Sequence, residues 1–363
     1  MQITPLNETI GARIDGLDLA AGLDDETFAA LHQTWLDHCL LLFRGQSLTP
    51  AGLTAFAARF GPLEPPPGSE KDLRADAGAD QDQNMWIISN VVEDGKAIGA
   101  LGYGEAEWHS DMTYLDIPPT ASVLYGREVP SDGANTWFAN MYAAWDRMPA
   151  DLAAEVRDAQ ALHNSSYTSA GELRKGMDAV TDVREAPGAT HPVVVRHPET
   201  GRQALFLGRR TNAYIKGREL ADSEALLDRL WDYSVGDQFC YVHHWQPGDV
   251  LIWDNRSTLH RRDAFDPNAR RILWRCQITG TPCRRPVQPD LETRRLHLRP
   301  WRLDDLEFCV AMNMDPDVGR YLFPHGAPVE AEQREIWHEK ISSDWPPLGA
   351  IWAVEWADER KIL

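Results

Sequence analysis

The sequence has few features of secreted or membrane-spanning proteins. Its five cysteines are scattered and form no Cys-x-x-Cys pair, which argues against a disulfide framework and a zinc knuckle. No purely apolar run is longer than the five residues of 39–43, far short of the roughly 20 residues needed to cross a bilayer. The N-terminus has neither the basic segment nor the apolar segment of a secretion signal. These absences predict a cytoplasmic location.

The sequence is also poor in positive charge. Lysine and arginine number 36 against 55 acidic residues, so the net charge is −19. A general affinity for nucleic acid or for anionic membranes is therefore not expected, and any anionic ligand must be bound by cations placed close to it. With 363 residues, 43 % of them apolar, the chain is long enough for one large domain or two ordinary ones. The sequence leaves open whether the chain forms a homo-oligomer.

Helix signals are clearest in the first sixty residues. Asp24 is placed to cap a helix whose apolar residues recur at a spacing of three to four, and the apolar run after it is short enough to be a buried strand. Thr49 and Pro50 mark the start of a second helix, which a Gly-Pro pair ends. Residues 64–84 are rich in Pro, Gly, Asp and Ser and predict a long mobile loop.

From residue 85 to about 281 the sequence alternates between strand-like segments and turn signals. The segments are MWIISNVV, ASVLYGREV, HPVVVRH, QALFLG, QFCYVHHW, DVLIWDN and RILWRCQI. Many short strands separated by Gly and Pro turns favour a sandwich or a jelly roll. Helices are expected over residues 141–156 and 222–233. The predicted fold class is α+β, with a jelly-roll core and flanking helices.

The character of the sequence changes after Pro286. An alternating segment from Leu291 leads into an amphipathic helix, and this tail is rich in tryptophan. The change predicts a linker near residues 286–289. It therefore predicts one domain over residues 1–286 and a small α/β segment over residues 287–363.

The sharpest chemical signal is the tetrapeptide Trp108-His109-Ser110-Asp111. In a strand, His109 and Asp111 point to the same side and present an imidazole beside a carboxylate. A His-x-Asp pair is expected about once by chance in a chain of this length, so it needs a third ligand. His260, in the polar segment after the strand DVLIWDN, is the candidate. Two histidines and one carboxylate leave open positions on one side of a metal, as in non-haem Fe(II) oxygenases.

Three other histidines compete for this role. His197 precedes a Pro-Glu pair but lies at a Pro/Gly turn, which favours a hairpin. His243 and His244 are neighbours in a predicted strand and face opposite sides, so at most one points inward. Each is also compatible with ordinary packing or a surface position that involves no metal.

The segment RRILWRCQI places two arginines on one face of a strand. Arg271, Leu273, Arg275 and Gln277 share this face, while the other face is apolar core. Guanidinium groups bind carboxylates and sulfonates through forked hydrogen bonds, so one arginine suits an anionic co-substrate and the other an anionic substrate. A solvated strand face is the alternative. Because a buried guanidinium is costly without an anion, Arg275 predicts a substrate with a carboxylate, sulfonate or sulfate group.

Several blocks of the sequence carry a family resemblance. They are LLLFRGQSLTP, FGPLE, ISNVVEDGK, WHSDMTY, PPTASVLYGREVP, FANMYAAW, HPVVVRHPETGRQALF, WQPGDVLIWDNRSTLHRR and ARRILWR. In this order, from about residue 16 to 282, the chain resembles the taurine and 2,4-dichlorophenoxyacetate dioxygenases. The resemblance implies a double-stranded β-helix, with Fe(II) as the metal and 2-oxoglutarate and O2 as co-substrates. By the same resemblance, His109, Asp111 and His260 match the iron ligands.

The resemblance also implies roles for residues around the metal. Arg271 matches the arginine that binds the far carboxylate of 2-oxoglutarate, and Thr136 matches the threonine that assists it. Arg275 matches a second arginine, which contacts the co-substrate or an anionic substrate. The usual Gly-Gly-Asp-Thr is here Gly-Ala-Asn-Thr, so the turn before Thr136 is expected to differ. Candidates for substrate contact upstream of the metal motif are Lys71, Lys96 and Tyr103.

The tail from Leu291 resembles a different family. LETRRLHLRPWRLDDLEFCVAMNMDPDVGRYLF and PPLGAIWAVE are similar to the front part of acetyltransferases of the GNAT superfamily, of the ribosomal-protein-alanine type. The tail has no Gly-x-Gly pattern for the pyrophosphate of acetyl-CoA. A truncated GNAT-like segment without acetyl transfer is therefore expected.

The reaction implied by the first resemblance is hydroxylation of a small anionic organic substrate, a sulfonate, a phenoxy acid or another carboxylate, with release of succinate and CO2. Related halogenases carry a small residue in place of Asp111, so hydroxylation is expected rather than halogenation. Two alternatives stay open. One is a jelly roll that binds 2-oxoglutarate without turnover, and the other is acetyl transfer by the tail.

Overall fold

The computed structural model describes residues 1–65, 84–99, 106–281, 291–292, 296–301, 305–315, 329–342 and 352–356. By its contacts the chain divides into two units, Met1–Cys283 and Arg284–Leu363. The α-helices of the described residues are α1 (Asp25–His38), α2 (Pro50–Ala58), α3 (Met141–Asp146), α4 (Ala150–Val156), α5 (Leu220–Ser234), α6 (Leu306–Met314) and α7 (Glu330–Ser342).

The strands of the described residues are short and cover most of the first unit. Up to the metal motif they are β1 (Gln2–Pro5), β2 (Ala12–Asp15), β3 (Leu40–Phe43), β4 (Leu63–Glu64), β5 (Met85–Ser89), β6 (Val92–Glu93), β7 (Lys96–Ala97) and β8 (Ala106–His109). Then follow β9 (Ala121–Glu128), β10 (Thr136–Asn140), β11 (Gln160–Asn164), β12 (Gly188–Pro192), β13 (Val194–Arg196), β14 (Gln203–Leu205), β15 (Tyr214–Ile215), β16 (Cys240–His243), β17 (Val250–Asp254), β18 (Thr258–Arg262) and β19 (Ile272–Ile278). The second unit contains β20 (Leu291–Glu292), β21 (Leu296–Pro300) and β22 (Trp352–Trp356).

The predicted helix starts are confirmed. The Asp24 carboxylate accepts a hydrogen bond from the Thr27 amide at 2.7 Å, and the Thr49 hydroxyl accepts one from the Gly52 amide at 3.1 Å. Each satisfies one of the amides that a helix leaves unpaired at its start. The helical segment expected over residues 141–156 is present as two helices, α3 and α4, with Pro149 between them.

The larger sheet has eight strands, in the order β1-β2-β3-β17-β9-β19-β4, with β5 also paired to β19. Its outer face packs against α1 and α2 in a cluster that contains Trp35, Phe56 and Ile252. Its inner face belongs to a second cluster, which includes Leu124, Trp253 and Leu273. The sheet is therefore buried on both sides. The face of RILWRCQI that carries the arginines is buried, so the alternative of a solvated strand face is wrong.

The smaller sheet, in the order β16-β10-β18-β8, packs against the inner face of the larger one. Phe138 of β10 contacts Trp253 of β17, with ring centroids 5.4 Å apart, and Trp253 also lies 4.8 Å from the His260 ring. Two face-packed sheets of antiparallel strands are the core of a jelly roll. His109 of the metal motif is the last residue of β8, in the smaller sheet.

Other parts of the first unit surround this core. A three-stranded sheet, β12-β11-β15, and the hairpin β13-β14 lie in the region before α5. In the second unit, β20, β21 and β22 form an antiparallel sheet, and α6 packs against α7 around Cys309 and Trp337. The predicted strand and helix at the start of the tail are present, whereas its GNAT-like character stays a prediction. Within the described residues, no helix combines the length and the hydropathy that a bilayer crossing requires.

Candidate metal centre and active site

Three side chains that can bind a metal converge on the smaller sheet. His109 is the last residue of β8 and lies directly opposite His260 of β18. Asp111 follows in the turn after β8. The ligand atoms of the three residues all lie within 4.8 Å of one another. The Nε2 atoms of His109 and His260 are 3.7 Å and 3.6 Å from Oδ1 of Asp111.

The route to this geometry differs from the predicted one. Asp111 does not share a strand with His109, because β8 ends at the histidine. His260 lies inside β18 and not in a polar loop after a strand. The pairing of β8 with β18 brings the two histidines together, and the turn after β8 brings the carboxylate to them.

Hydrogen bonds from distant segments hold that turn. The amide of Ser110 donates to the Gly208 carbonyl at 2.9 Å, and its hydroxyl donates to the Thr258 carbonyl at 2.8 Å. Asn255 clamps the backbone of Asp111: its Oδ1 accepts from the Asp111 amide at 2.7 Å, and its Nδ2 donates to the Asp111 carbonyl at 2.9 Å. Both partners are buried, so these bonds fix the ligand backbone in a low-dielectric setting.

Gly208 must remain glycine in this arrangement. Its φ is +67°, and a Cβ there would lie 2.2 Å from Nδ1 of His163 and 2.8 Å from the Thr113 hydroxyl. The positive φ and the two close contacts are both steric reasons that exclude a side chain with a Cβ at this position. Glycine at this position therefore allows the Gly208 carbonyl to accept the hydrogen bond from the Ser110 amide, next to the metal motif.

The Asp111 carboxylate is held in its charged form. Burial alone would raise its pKa, but the charge of Arg275 and its contact with the carboxylate keep the pKa below its ordinary value. Nη2 of Arg275 lies 2.5 Å from Oδ2 of Asp111 and donates to the Ser122 hydroxyl at 3.0 Å. Ser122 in turn donates to Oδ2 at 2.8 Å. With Oδ2 occupied in this way, Oδ1 is the oxygen that faces the histidines.

The ligand histidines are held neutral, which is the form that binds metals. Burial lowers the pKa of His260 to about 3 and also lowers the pKa of His109. Nδ1 of His109 lies 2.6 Å from the Glu107 carbonyl, so it carries the proton and leaves Nε2 free for a metal. Two neutral imidazoles and one carboxylate are a donor set that fits Fe(II).

Arg271 lies just before β19 and is buried. Its Nε and Nη1 atoms have no hydrogen-bond partner among the described residues, and its backbone amide donates to Asn90 at 3.0 Å. Burial, together with the nearby charge of Arg262, lowers its pKa. A buried guanidinium without a carboxylate is suited to an anion that comes from outside the protein. The predicted match to the far carboxylate of 2-oxoglutarate fits this environment.

Thr136 begins β10 opposite Arg262, two pairs along from Phe138 and His260. Its side chain is buried, and its hydroxyl accepts a hydrogen bond from the Trp245 indole at 2.9 Å. The hydroxyl proton remains for a further acceptor. In the turn before it Ala134 has a left-handed φ of 54°.

The remaining predicted residues are not gathered at this centre. Lys96 is exposed on the β6–β7 hairpin. Lys71 and Tyr103 lie outside the described residues, as does most of the loop expected over residues 64–84. His243 is buried with Nε2 3.0 Å from Asp249, whereas His244 is exposed, as the strand alternation predicted.

His197 is explained by its own partners. It follows the β13 strand of the β13–β14 hairpin, and its Nε2 lies 2.9 Å from Oδ2 of Asp254. Its Nδ1 accepts a hydrogen bond from the Thr200 amide at 3.1 Å. The imidazole is therefore fully paired within the protein and is not needed as a metal ligand.

A sequence profile identifies the chain. The family described as taurine catabolism dioxygenase TauD, TfdA matches residues 2–277. The chain belongs to this family. It is an oxidoreductase that depends on Fe(II) and 2-oxoglutarate and uses O2.

Individual relatives agree with this membership. The chain is 37 % identical over 289 residues to an (S)-phenoxypropionate/alpha-ketoglutarate-dioxygenase of Sphingobium herbicidovorans, covering 77 % of this chain and 95 % of the relative. It is 32 % identical to an alpha-ketoglutarate-dependent 2,4-dichlorophenoxyacetate dioxygenase of Cupriavidus pinatubonensis, covering 75 % of this chain and 95 % of that one.

Solved structures of the family share the fold. AAD-2, in complex with Mn(II) and N-oxalylglycine, superposes with a TM-score of 0.63 at 27 % identity, covering 78 % of this chain and 98 % of that one. A taurine dioxygenase from Burkholderia xenovorans gives a TM-score of 0.62 at 28 % identity, covering 79 % and 93 %. The jelly-roll core expected from the strand pattern is the fold of this family.

Sequence reasoning missed the residues that support the ligands. Ser122 and Asn255 were not singled out, although Asn255 lies within the block WDNRSTLHRR, five residues before His260. The only available signal was that a buried strand ends in a run of polar residues, which requires partners for their side chains. The pairing of Arg275 with Asp111 had no local signal at all.

Proposed function

We propose that the chain hydroxylates a small organic acid at an iron centre formed by His109, Asp111 and His260. One observation carries the proposal: the three ligand atoms lie within 4.8 Å of one another, and no fourth His, Cys, Asp or Glu joins them among the described residues. Three protein ligands on one side of an octahedral ion leave positions for a co-substrate and O2. Bound Fe(II), with 2-oxoglutarate and O2, supplies the oxidation of a C–H bond to an alcohol with formation of succinate and CO2.

Each residue of the metal site has a defined role in this proposal. The neutral imidazoles of His109 and His260 and Oδ1 of Asp111 hold the metal. Arg275 and Ser122 bind Oδ2 of Asp111 and so keep the carboxylate charged and oriented. The orientation matters because a ligand turned by one torsion would close a position that the co-substrate needs.

The second part of the site binds the co-substrate. The guanidinium of Arg271, whose Nε and Nη1 atoms have no partner among the described residues, binds the far carboxylate of 2-oxoglutarate, and the Thr136 hydroxyl donates to the same group. The buried surroundings of Arg271 exclude water from this ion pair. Arg275 has the same chemistry, but Asp111 already neutralises it, so its burial is no longer an argument for an anionic substrate. Contact of Arg275 with co-substrate or substrate stays a prediction.

The substrate class rests on the relatives. Those named above act on (S)-phenoxypropionate and 2,4-dichlorophenoxyacetate, and another relative is a sulfate ester dioxygenase from Pseudomonas putida. All these substrates are small organic anions. We therefore assign the chain a substrate of this class, and assign residues 1–286 as the catalytic domain, a cytoplasmic location, and no acetyl transfer to the tail.

The test is coupled turnover. The purified chain is supplied with Fe(II), 2-oxoglutarate and O2 together with (S)-2-phenoxypropionate, 2,4-dichlorophenoxyacetate, hexyl sulfate or taurine. At least one acid should drive succinate release matched by O2 uptake, and the products formed from that acid should together contain one added oxygen. Omission of Fe(II) and the variant His260→Gln serve as controls. Succinate release that never exceeds the acid-free rate would refute the assignment.

A further inference from the structure

The strand that carries His109 lies at the edge of the smaller sheet. β8 has four residues, is last in the order β16-β10-β18-β8, and pairs with β18 in a register that shifts between His260 and Arg262. On its other side, Arg209 forms an isolated antiparallel bridge with His109. His109 therefore lies between His260 of the sheet and Arg209 of the segment that follows β14.

The guanidinium of Arg209 reaches away from β8, to the end of β11 and the segment after it. Its Nη1 donates to the Thr168 carbonyl, and its Nη2 donates to the carbonyls of Tyr167 at 3.0 Å and Asn164 at 3.4 Å. Its Nε has no partner among the described residues, so the two Nη groups make these contacts. The planar fork of a guanidinium suits several acceptors along one segment, whereas a lysine ammonium is a single point of contact.

The same segment holds the peptide group to which the His109 ring is bound. The Ser169 carbonyl accepts a hydrogen bond from the Glu107 amide at 2.8 Å, and the Glu107 carbonyl lies 2.6 Å from Nδ1 of His109. With the contacts of Arg209 to the Thr168 carbonyl and to the His109 backbone, these bonds form a closed circuit that begins and ends at His109. Loss of the guanidinium opens this circuit.

The charge of Arg209 acts against metal binding, whereas its contacts support it. Burial lowers the pKa of His109, and the positive charges of Arg275 and Arg209 add to that effect. A cation near a metal ion also repels the ion. By its charge alone Arg209 would weaken metal binding, so the sign of the change when Arg209 is replaced separates the two roles.

We propose that Arg209 is a positioning residue for the metal ligand His109, which it serves by tying the segment of residues 164–169 to the edge of β8. The inference rests on the proposed function, in which His109 binds the metal through Nε2. A fixed Glu107 carbonyl keeps the proton on Nδ1 of His109 and keeps the ring in one orientation. Loss of this kind of support to a ligand histidine typically costs about 10- to 100-fold in metal affinity.

The test compares Arg209→Met with Arg210→Met. Arg210 is the next residue and pairs with Glu224 and Asp228 of α5, so its variant makes the same charge change away from β8. Mn(II) affinity, measured by calorimetry, should fall by about 10- to 100-fold in Arg209→Met and stay within about threefold of wild type in Arg210→Met. Arg209→Lys keeps the charge but not the fork, so it should recover only part of the loss.

The tautomer of His109 gives a second readout, which needs neither metal nor turnover. Nitrogen NMR of the metal-free protein with labelled histidine rings, assigned by comparison with His109→Gln, should show the Nδ1–H tautomer in wild type and Arg210→Met. Arg209→Met should show a mixture of both tautomers. If urea denaturation shows that Arg209→Met does not fold, Arg209→Lys takes its place in both measurements.

Two results would overturn the inference, each on its own. They are an unchanged or stronger Mn(II) affinity in the Arg209 variant, and a tautomer that stays entirely Nδ1–H. Either would leave the proposed function standing if wild type turns over. Absence of turnover with every acid would refute the proposed function instead, while the affinity and the tautomer would still decide the role of Arg209.

Discussion

Strand β19 and the residue just before it carry two buried arginines that differ in their partners. Arg275, within the strand, is paired with Asp111 and Ser122, whereas Arg271, just before it, has two donor atoms without a partner among the described residues. Both are buried. A buried charge with an internal partner supports the structure around it, and one without a partner marks where a charge must come from outside. Arg275 therefore belongs with the metal ligands, and Arg271 with the proposed co-substrate site.

Two buried histidines show the same contrast between a paired and an unpaired side chain, at positions to which no ligand is assigned. His197 has both ring nitrogens hydrogen-bonded, to Asp254 and to the Thr200 amide. His163 has neither nitrogen bonded to any described residue, and its ring stacks on Phe206 with centroids 5.7 Å apart. An imidazole can meet this situation by staying neutral, whereas a guanidinium cannot. An unpaired histidine is therefore weaker evidence for a ligand than an unpaired arginine.

Removal of a metal ligand should have the largest effect, and it should differ between the two ligand types. His109→Ala and Asp111→Ala should both abolish succinate release, because each removes an iron ligand. Asp111→Ala should also lower the free energy of unfolding of the metal-free protein by about 3 to 5 kcal/mol, since it leaves Arg275 buried without its anion. His109→Ala removes no charge from a pair and should cost less. Urea denaturation and succinate assays measure the two effects. Near-native turnover with native iron affinity in either variant would contradict the ligand assignment.

Arg275→Leu breaks the same ion pair from the other side. The metal-free protein should lose about 2 to 5 kcal/mol of unfolding free energy, because the Asp111 carboxylate is then buried alone. Without the guanidinium the pKa of Asp111 should rise, since burial raises it and Arg275 opposes that rise. The stability from this pair is present above the ordinary carboxyl pKa and is lost as pH falls below it, so Mn(II) binding should require a higher pH in the variant.

The control for this variant is Arg270→Leu. Arg270 is exposed and pairs with Glu93 and Glu128 on the surface, so its loss should leave stability and metal binding nearly unchanged. The strand pattern also predicts that Arg275→Leu weakens an anionic substrate by about 2 to 4 kcal/mol. A substrate effect of that size at Arg275, with no change in the Arg270→Leu control, would assign the substrate's anion to Arg275.

Arg271→Leu should affect co-substrate binding and not stability, the opposite of what is expected for Arg275→Leu. The KM for 2-oxoglutarate should rise by a factor that corresponds to about 2 to 4 kcal/mol, because the forked pair to its far carboxylate is lost, while Mn(II) affinity is retained. The metal-free protein should be as stable as wild type or more stable, since an unpaired buried charge is replaced by an apolar side chain. The rise in Tm that 2-oxoglutarate causes in wild type should disappear. A loss of several kcal/mol in the metal-free variant would show that Arg271 has a structural partner.

The sequence predicts those features of the fold and the site that depend on residues close together in the chain. Helix caps such as Asp24 and Thr49 and the strand alternation around Arg275 depend on neighbours in the chain, and each is present. The strand predicted to hold both His109 and Asp111 is wrong, because β8 ends at His109. The pairing of Arg275 with Asp111 depends on the register of β19 against β9, which sets Gln277 opposite Ser122. Register is decided by packing across strands and by turns far away in sequence, so no local pattern reveals it.

The smallest expected effect tests the unpaired histidine. His163 is buried, and burial lowers its pKa well below the ordinary value. The unfolded chain therefore binds a proton near pH 6.5 that the folded chain does not, so wild-type stability is complete above that pH and falls as the pH is lowered. His163→Leu, of similar volume, removes this proton uptake. The difference in unfolding free energy, variant minus wild type, should grow by about 1 kcal/mol per pH unit from pH 6.5 to 5. A difference that stays constant over this range would mean that His163 is protonated in the folded protein and has an anionic partner. His163 would then be a paired buried group, as Arg275 is.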